Sequence, residues 1–412
     1  MSVFKDGVIY LAGELLNKAL PFLLMPYLTR KLGVAGFGEL SYYLTILALL
    51  SIFIGLSQEG ALTRYYYFYG KKAVPMIIKA GYFYNFAFSL ICLLVCWFVY
   101  KSEILVFVTL IASFNSLLKV QLAIHQCQKQ PKSYVLIQLI NSFAIVGFTI
   151  FIMEFFSGDQ VFNRILALMF GGVFTFFLTY LFINKKYKSK KEFSVRQYKL
   201  GLVYLFSFGI PLVFHQLSSF MKGQVDRIFI YKAFTPDDLG VYSAGAQIAS
   251  ILTILLLAVN KAILPYYYEA LKNNKLNIMK IKKYTLLSFI LIGFPALINL
   301  ILPVQVFDWF LGAGFVGVKY YITLFLIGYG LMLPYLILVN YFFYYAKNGL
   351  ISVITFSNSI LYFILLIILV NYFDIIYIPY ALIISNFVLI VVLWCCLDRF
   401  QASLLSKKDV AC

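Results

Sequence analysis

Charge is scarce in this chain. Asp, Glu, Lys and Arg make up 12% of it, about half the ~25% of a soluble domain, which excludes an ordinary water-soluble fold. Histidine is almost missing, with His125 and His215 as the two examples. The six cysteines (Cys92, Cys96, Cys127, Cys395, Cys396, Cys412) show no metal-ligand spacing. Most fall in or near apolar stretches, where Cys acts as a small apolar residue. Neither a disulfide nor a metal site is expected. No DxD-type metal motif, GxSxG, phosphate loop or pair of catalytic carboxylates occurs, so neither an enzyme nor a cofactor is expected. Met1–Thr29 lacks a small-residue cleavage site and carries Glu14 and Lys18 in its apolar stretch, which argues against a cleavable signal.

What fills the chain instead is apolar residues, 63% of the 412. They come in runs of roughly 18 to 25, long enough to cross a bilayer as helices. An open sheet would leave edge groups unpaired in lipid, and an outer-membrane barrel would alternate polar and apolar residues. The fold class is therefore all-α, a polytopic membrane protein. Twelve spans are expected, at about 6–29, 38–60, 80–100, 103–125, 134–155, 164–183, 203–231, 239–263, 284–303, 320–344, 351–370 and 375–397. Pro21, Pro26, Pro211, Pro295 and Pro334 lie inside spans and predict kinks.

A net charge of +18 invites a nucleic-acid reading, but its distribution follows membrane topology. With the N-terminus in the cytoplasm, 23 of the 34 Lys and Arg fall on the cytoplasmic side. They include Lys71, Lys72, the run "KKYKSKK" from Lys185, and Lys280, Lys282 and Lys283. The opposite side holds Arg30, Lys31, Lys101, Arg164, Lys232 and Lys319. Positive charge marks the cytoplasmic side, so both termini are expected there, and lipid headgroups are the expected partner of the basic loops. No nucleic-acid partner is expected.

The two halves repeat. "FGELS" (Phe37–Ser41) aligns with "LGVYS" (Leu239–Ser243), and "RYYYFYGKK" (Arg64–Lys72) with "PYYYEALKN" (Pro265–Asn273), at nearly one offset. This predicts two parallel six-helix bundles around a central cleft: residues 1–183, a basic cytoplasmic linker 184–202, residues 203–398 and a cytoplasmic tail 399–412.

Ionisable residues inside spans are costly, about 2.5–3.5 kcal/mol each at bilayer centre on the insertion scale. His215, Ser219, Lys222 and Asp226 are spaced 4, 3 and 4, one face of a continuous helix. Glu14, Asn17, Lys18 and Pro21 share a face of the first span. Both stripes predict a hydrated cleft; self-neutralising i,i+4 pairs (Glu14 with Lys18, Lys222 with Asp226) are the alternative. Arg227 lies off the Lys222–Asp226 line and faces the cavity mouth or snorkels outward. Glu59 and Lys261 are repeat equivalents of opposite sign near the cytoplasmic end. They either form a gate or each reach the interface. The tyrosine clusters, such as Tyr65–Tyr67 and Tyr266–Tyr268, fit aromatic belts, with sugar stacking as the minor reading. "PDDLG" (Pro236–Gly240) reads as a helix start.

"GELLNKALPFLLMPYLTRKLGVAGFGELS" (Gly13–Ser41) and "GIPLVFHQLSSFMKGQVDRIFIYKAFTPDDLGVYSAGAQIAS" (Gly209–Ser250) resemble the Wzx-type polysaccharide flippases. These share a superfamily with the multidrug and toxic compound extrusion transporters. The resemblance implies a bacterial inner-membrane protein that moves an undecaprenyl-pyrophosphate-linked oligosaccharide from the cytoplasmic to the periplasmic leaflet for O-antigen or a related glycan. A polymerase and chain-length proteins of that pathway are the further partners it implies. Placement then assigns Asn17, Lys18, Ser219, Lys222 and Arg227 to the substrate, Glu14, His215 and Asp226 to ion coupling, and Glu59 and Lys261 to a cytoplasmic gate. A drug exporter would want a neutral or acidic cleft, a membrane glycan polymerase a large Arg-rich periplasmic loop, and a scaffold no buried charge stripes.

Overall fold

The computed structural model describes residue 13 and residues 19–71, 74–187 and 194–409, with side chains described outside 182–187 and 399–409. Glu14, Asn17 and Lys18 lie outside the described residues, as does half of the first expected span. Among the described residues there is no strand, and eleven helical segments are long and apolar enough to cross a membrane. They match the second to twelfth expected spans. The chain divides into two compact units, Met1–Phe220 and Met221–Cys412.

The first unit holds α1 (Met25–Gly55), α2 (Gln58–Phe68), α3 (Val74–Phe98), α4 (Glu103–Cys127), α5 (Pro131–Phe155), α6 (Gln160–Tyr187) and most of α7 (Val195–Gly223). α1 breaks at Gly33, with φ 69° and ψ −175°, a region that is essentially glycine-only. The break falls between the first two expected spans. A second break, at Leu56 and Ser57 (φ 45° and 50°), separates α1 from α2. α4 is the central helix, packed by α1, α2, α3 and α6, and α5 pairs with α6. Leu40, Val108, Ile111, Val161 and Ile165 form one core; Ala61, Leu62, Ile77, Val120, Ile124 and Leu205 form another. Glu154 ties the end of α5 to α1, accepting from Lys31 at 2.9 Å and Tyr27 at 2.7 Å.

The second unit holds the end of α7, α8 (Asp226–Ala233), α9 (Pro236–Lys272), α10 (Ile278–Ile301), α11 (Val304–Leu311), α12 (Val318–Gly330), α13 (Met332–Tyr344), α14 (Asn348–Tyr372) and α15 (Tyr380–Asp409). α12 is central, packed by α9, α10 and α15, and α14 pairs with α15. These are the repeat counterparts of the pairings around α4. Leu271, Ile281, Leu338, Phe342, Leu393 and Leu397 anchor its core. The helix start read at "PDDLG" is a capping box: Thr235 Oγ1 accepts from Asp238 N at 3.2 Å, and Asp238 accepts from Thr235 N at 3.2 Å.

The repeated motifs are packing devices. Phe37, Gly38 and Leu40 of "FGELS", and Leu239, Gly240, Tyr242 and Ser243 of "LGVYS", are all buried. Two residues on, Gly245 lets α9 approach α12. A Cβ there would sit 2.6 Å from Tyr321 Cβ and 3.2 Å from the Ile322 backbone nitrogen. Small residues at such crossings are what membrane helices use in place of a hydrophobic drive to associate.

Candidate substrate site

The seventh expected span is two helices. α7 ends at Gly223, Gln224 and Val225 form a turn, and α8 starts at Asp226. Pro211, the expected kink, stays inside a continuous α7. The 4, 3, 4 stripe therefore ends at Lys222, and Lys222 and Asp226 are not neighbours on one helix face. The self-neutralising pair loses its geometry.

The Asp226–Arg227 dipeptide closes this turn. Asp226 Oδ1 accepts from the Arg227 backbone nitrogen at 2.9 Å, and Arg227 Nη1 donates to the Gly223 carbonyl at 3.1 Å. The second contact satisfies one of the carbonyls that a helix end leaves open. Arg227 also pairs with Asp226 Oδ1 at 3.5 Å. The Tyr242 hydroxyl donates to Asp226 Oδ2 at 2.5 Å. The buried Tyr362 faces the same carboxylate. Asp226 is 4% exposed, so these groups replace its water. Arg227 turns inward to its acid; it neither snorkels nor stands alone.

Lys222 has a different environment. The Asn358 amide, oriented to satisfy both of its ends, accepts from Lys222 Nζ at 2.6 Å and donates to the Ser385 carbonyl at 2.6 Å. No described carboxylate pairs with Lys222. It is a partly buried cation held by a neutral amide from α14, itself fixed by α15.

His215 and Ser219 are exposed on α7, two turns and one turn before Lys222, and Ser219 Oγ donates to the His215 carbonyl at 3.2 Å. Between them Gln216 turns to the α1–α2 break, donating to Ser57 Oγ at 2.8 Å. Glu59 stands in the first turn of α2, beyond that break, half-buried; Lys261 is exposed on α9.

Tyr242, Tyr362, Asn358 and Ser385 escaped the sequence reading as partners. The available signal was polar type inside an apolar run: "FSNSI" around Asn358 and "IISNF" around Ser385. Arg164, counted on the side opposite the cytoplasm, is 7% exposed and donates to the buried Thr149 hydroxyl. Among the described residues no cluster of three or more His, Cys, Asp or Glu could hold a metal.

Helices long enough to cross a bilayer, in two units with the same internal pairings, define a polytopic membrane protein. The solved structures it resembles agree in fold. An inward-closed lipid II flippase MurJ superposes with a TM-score of 0.73 at 14% identity, covering 95% of this chain and 87% of that one. An inward-facing multidrug resistance transporter of the MATE family gives 0.67 at 15% identity, over 93% and 95%. Residues 3–271 match the family described as polysaccharide biosynthesis protein, and the chain belongs to it. It is also similar to "Lsg locus putative protein 1" of Haemophilus influenzae, at 47% identity over 407 residues, 99% of this chain and 100% of that protein.

Proposed function

We propose that this protein is a Wzx-type flippase. It moves an undecaprenyl-pyrophosphate-linked oligosaccharide, an O-antigen unit or a similar repeat, from the cytoplasmic to the periplasmic leaflet of a bacterial inner membrane. Both termini are cytoplasmic in this reading, and the halves work by alternating access. Membership of the polysaccharide biosynthesis family supports the substrate class. The observation that carries the reading is Lys222, a cation in the last turn of a membrane-length helix, held by an amide and by no described acid. A neutral amide positions the ammonium without cancelling its charge. In a low-dielectric setting that charge attracts a phosphate more strongly than it would in bulk water.

The proposed roles follow from placement. Lys222 and Lys18 meet the pyrophosphate, and Ser219 and Asn17 hydrogen-bond the head of the substrate. Arg227 joins them only when it leaves Asp226. The coupling candidates are Glu14, the exposed His215 and Asp226. Asp226 is less suited, because both of its oxygens already accept hydrogen bonds. Glu59 and Lys261 are proposed as the cytoplasmic gate. A polymerase and chain-length proteins would receive the flipped unit.

The test is complementation. In cells lacking the chromosomal copy, the wild-type chain restores surface glycan, Lys222→Ala at equal membrane level does not, and Lys222→Arg restores part. Full glycan with Lys222→Ala would overturn the assignment. Unchanged glycan in the deletion strain would overturn the flippase reading itself.

A further inference from the structure

At the end of the second unit away from Lys280, α10, α11 and the start of α12 enclose a cavity of about 650 Å³, within the roughly 300–1,000 Å³ of small-molecule sites. Its wall is apolar, built by Leu300, Val304, Phe307, Phe315, Val318 and Leu324. Two charged side chains interrupt it, Asp308 and Lys319. Lys319 Nζ donates to the carbonyls of Leu300 and Leu302, each at 2.8 Å. An ammonium has three donors, so one N–H is left for a ligand. The Asp308 carboxylate makes no hydrogen bond or ion pair with any described residue.

The helix that roofs the cavity says what lies outside it. Apart from Gln305 and Asp308, α11 carries apolar side chains, some facing inward and some outward. Phe307 and Leu311 are buried, while Val304, Val306 and Trp309 are exposed, Trp309 by 74%. Ile301 and Val316 flank it and are exposed as well. A short helix with an apolar outer face and a Trp belongs at the membrane–water boundary. The cavity mouth is therefore at headgroup level, with its apolar depth at the level of acyl chains.

We infer that this cavity holds an acyl chain of a zwitterionic phospholipid with a primary ammonium headgroup, the phosphate on Lys319 and the ammonium on Asp308. The two opposite charges select that headgroup. Phosphatidylglycerol would satisfy Lys319 through its phosphate but offer Asp308 only neutral hydroxyls, with no cation to balance the carboxylate. A quaternary ammonium has no N–H to donate to the carboxylate. A polyprenyl pyrophosphate would carry two phosphates and no cation. Lys319 also caps the carbonyls at the end of α10, which alone would explain the lysine, but that role leaves Asp308 and the cavity without a purpose. The inference needs the chain to be embedded in a bilayer and does not depend on which substrate it moves.

The experiment is lipid titration of the purified full-length protein in mild detergent, read by native mass spectrometry. The probes are phosphatidylethanolamine, phosphatidylcholine, phosphatidylglycerol and undecaprenyl pyrophosphate. The ethanolamine lipid should bind about tenfold tighter than the glycerol lipid, the worth of one charge-assisted hydrogen bond. Asp308→Asn should erase that preference, Lys319→Gln should weaken all phospholipids, and Ala313→Trp should exclude them by filling the cavity mouth. Melting temperatures check folding; if Lys319→Gln does not fold, the other two variants decide. Equal binding of the phospholipids, preference for the glycerol lipid or the pyrophosphate, or an ethanolamine preference that survives Asp308→Asn would each overturn the assignment.

Discussion

Tyr242 donates its hydroxyl hydrogen to Asp226 across 2.5 Å, and so joins the first turn of α8 to α9 inside the second unit. Tyr242 is 1% exposed and Asp226 4%. A buried carboxylate that loses a donor has no water to replace it. Tyr242→Phe should lower stability by about 2 kcal/mol, the cost of a hydrogen bond to a charged group. Asp226→Asn should cost a similar amount because it strands Arg227. The double variant should cost less than the sum, the sign of contact. Melting of the purified variants checks this, and strict additivity would show that the two residues act independently.

Asn358 gives a sharper handle on Lys222 than Lys222 itself. Asn358→Asp keeps the shape of the amide and puts an acid beside the ammonium. The new ion pair with Lys222 partly offsets the bond that the amide no longer donates to the Ser385 carbonyl, so the protein should still fold, with a melting temperature lowered by the lost bond. Transport should fall to near the level of Lys222→Ala, because the cation is now neutralised. Surface glycan and melting temperature, measured together, check it. Transport unchanged in Asn358→Asp would mean that the free charge of Lys222 has no part in function.

Lys18 lies outside the described residues and carries the same expectation from its place in the first span. Lys18→Ala should reduce surface glycan at constant protein level, and Lys18→Arg should recover part of it. Full activity in Lys18→Ala would remove it from the substrate site.

Glu59 and Lys261 test the gate. Glu59→Lys and Lys261→Glu should each slow transport. The exchanged pair should work better than either single variant, since touching residues couple non-additively. A pair no better than the worse single would end the gate proposal.

Topology is tested by reporters. Fusions after Lys190 should read cytoplasmic and those after Asp159 periplasmic, as the charge bias requires. The reverse at both positions would invert every assignment of side.

Hydropathy made the spans legible because apolar length is a property of composition, and "PDDLG" was legible because capping chemistry is local. The breaks were not. Leu56 and Ser57 take left-handed φ without being glycine or asparagine, so nothing local announces them. The turn at Gln224–Val225 comes well after Pro211, the residue that signalled a bend, and that proline stays in an unbroken helix. Once the break is missed, a 4, 3, 4 spacing carries the helix period through a point where the helix has stopped. Asp226 was therefore assigned to the face of Lys222, when its partners are Arg227 and Tyr242. Partner choice for Lys222 was hidden for another reason. Asn358 lies 136 positions away in sequence, and only packing brings α14 to the end of α7.

The most direct measurement of the central claim is transbilayer movement itself. The purified chain is placed in liposomes that carry a labelled undecaprenyl-pyrophosphate-linked oligosaccharide, and the label reaching the opposite leaflet is read with an impermeant probe. The account predicts movement well above protein-free liposomes with the wild-type chain, a loss of about tenfold or more in Lys222→Ala, and partial return in Lys222→Arg. Movement that is no faster than in protein-free liposomes, or equally fast in Lys222→Ala, would contradict it.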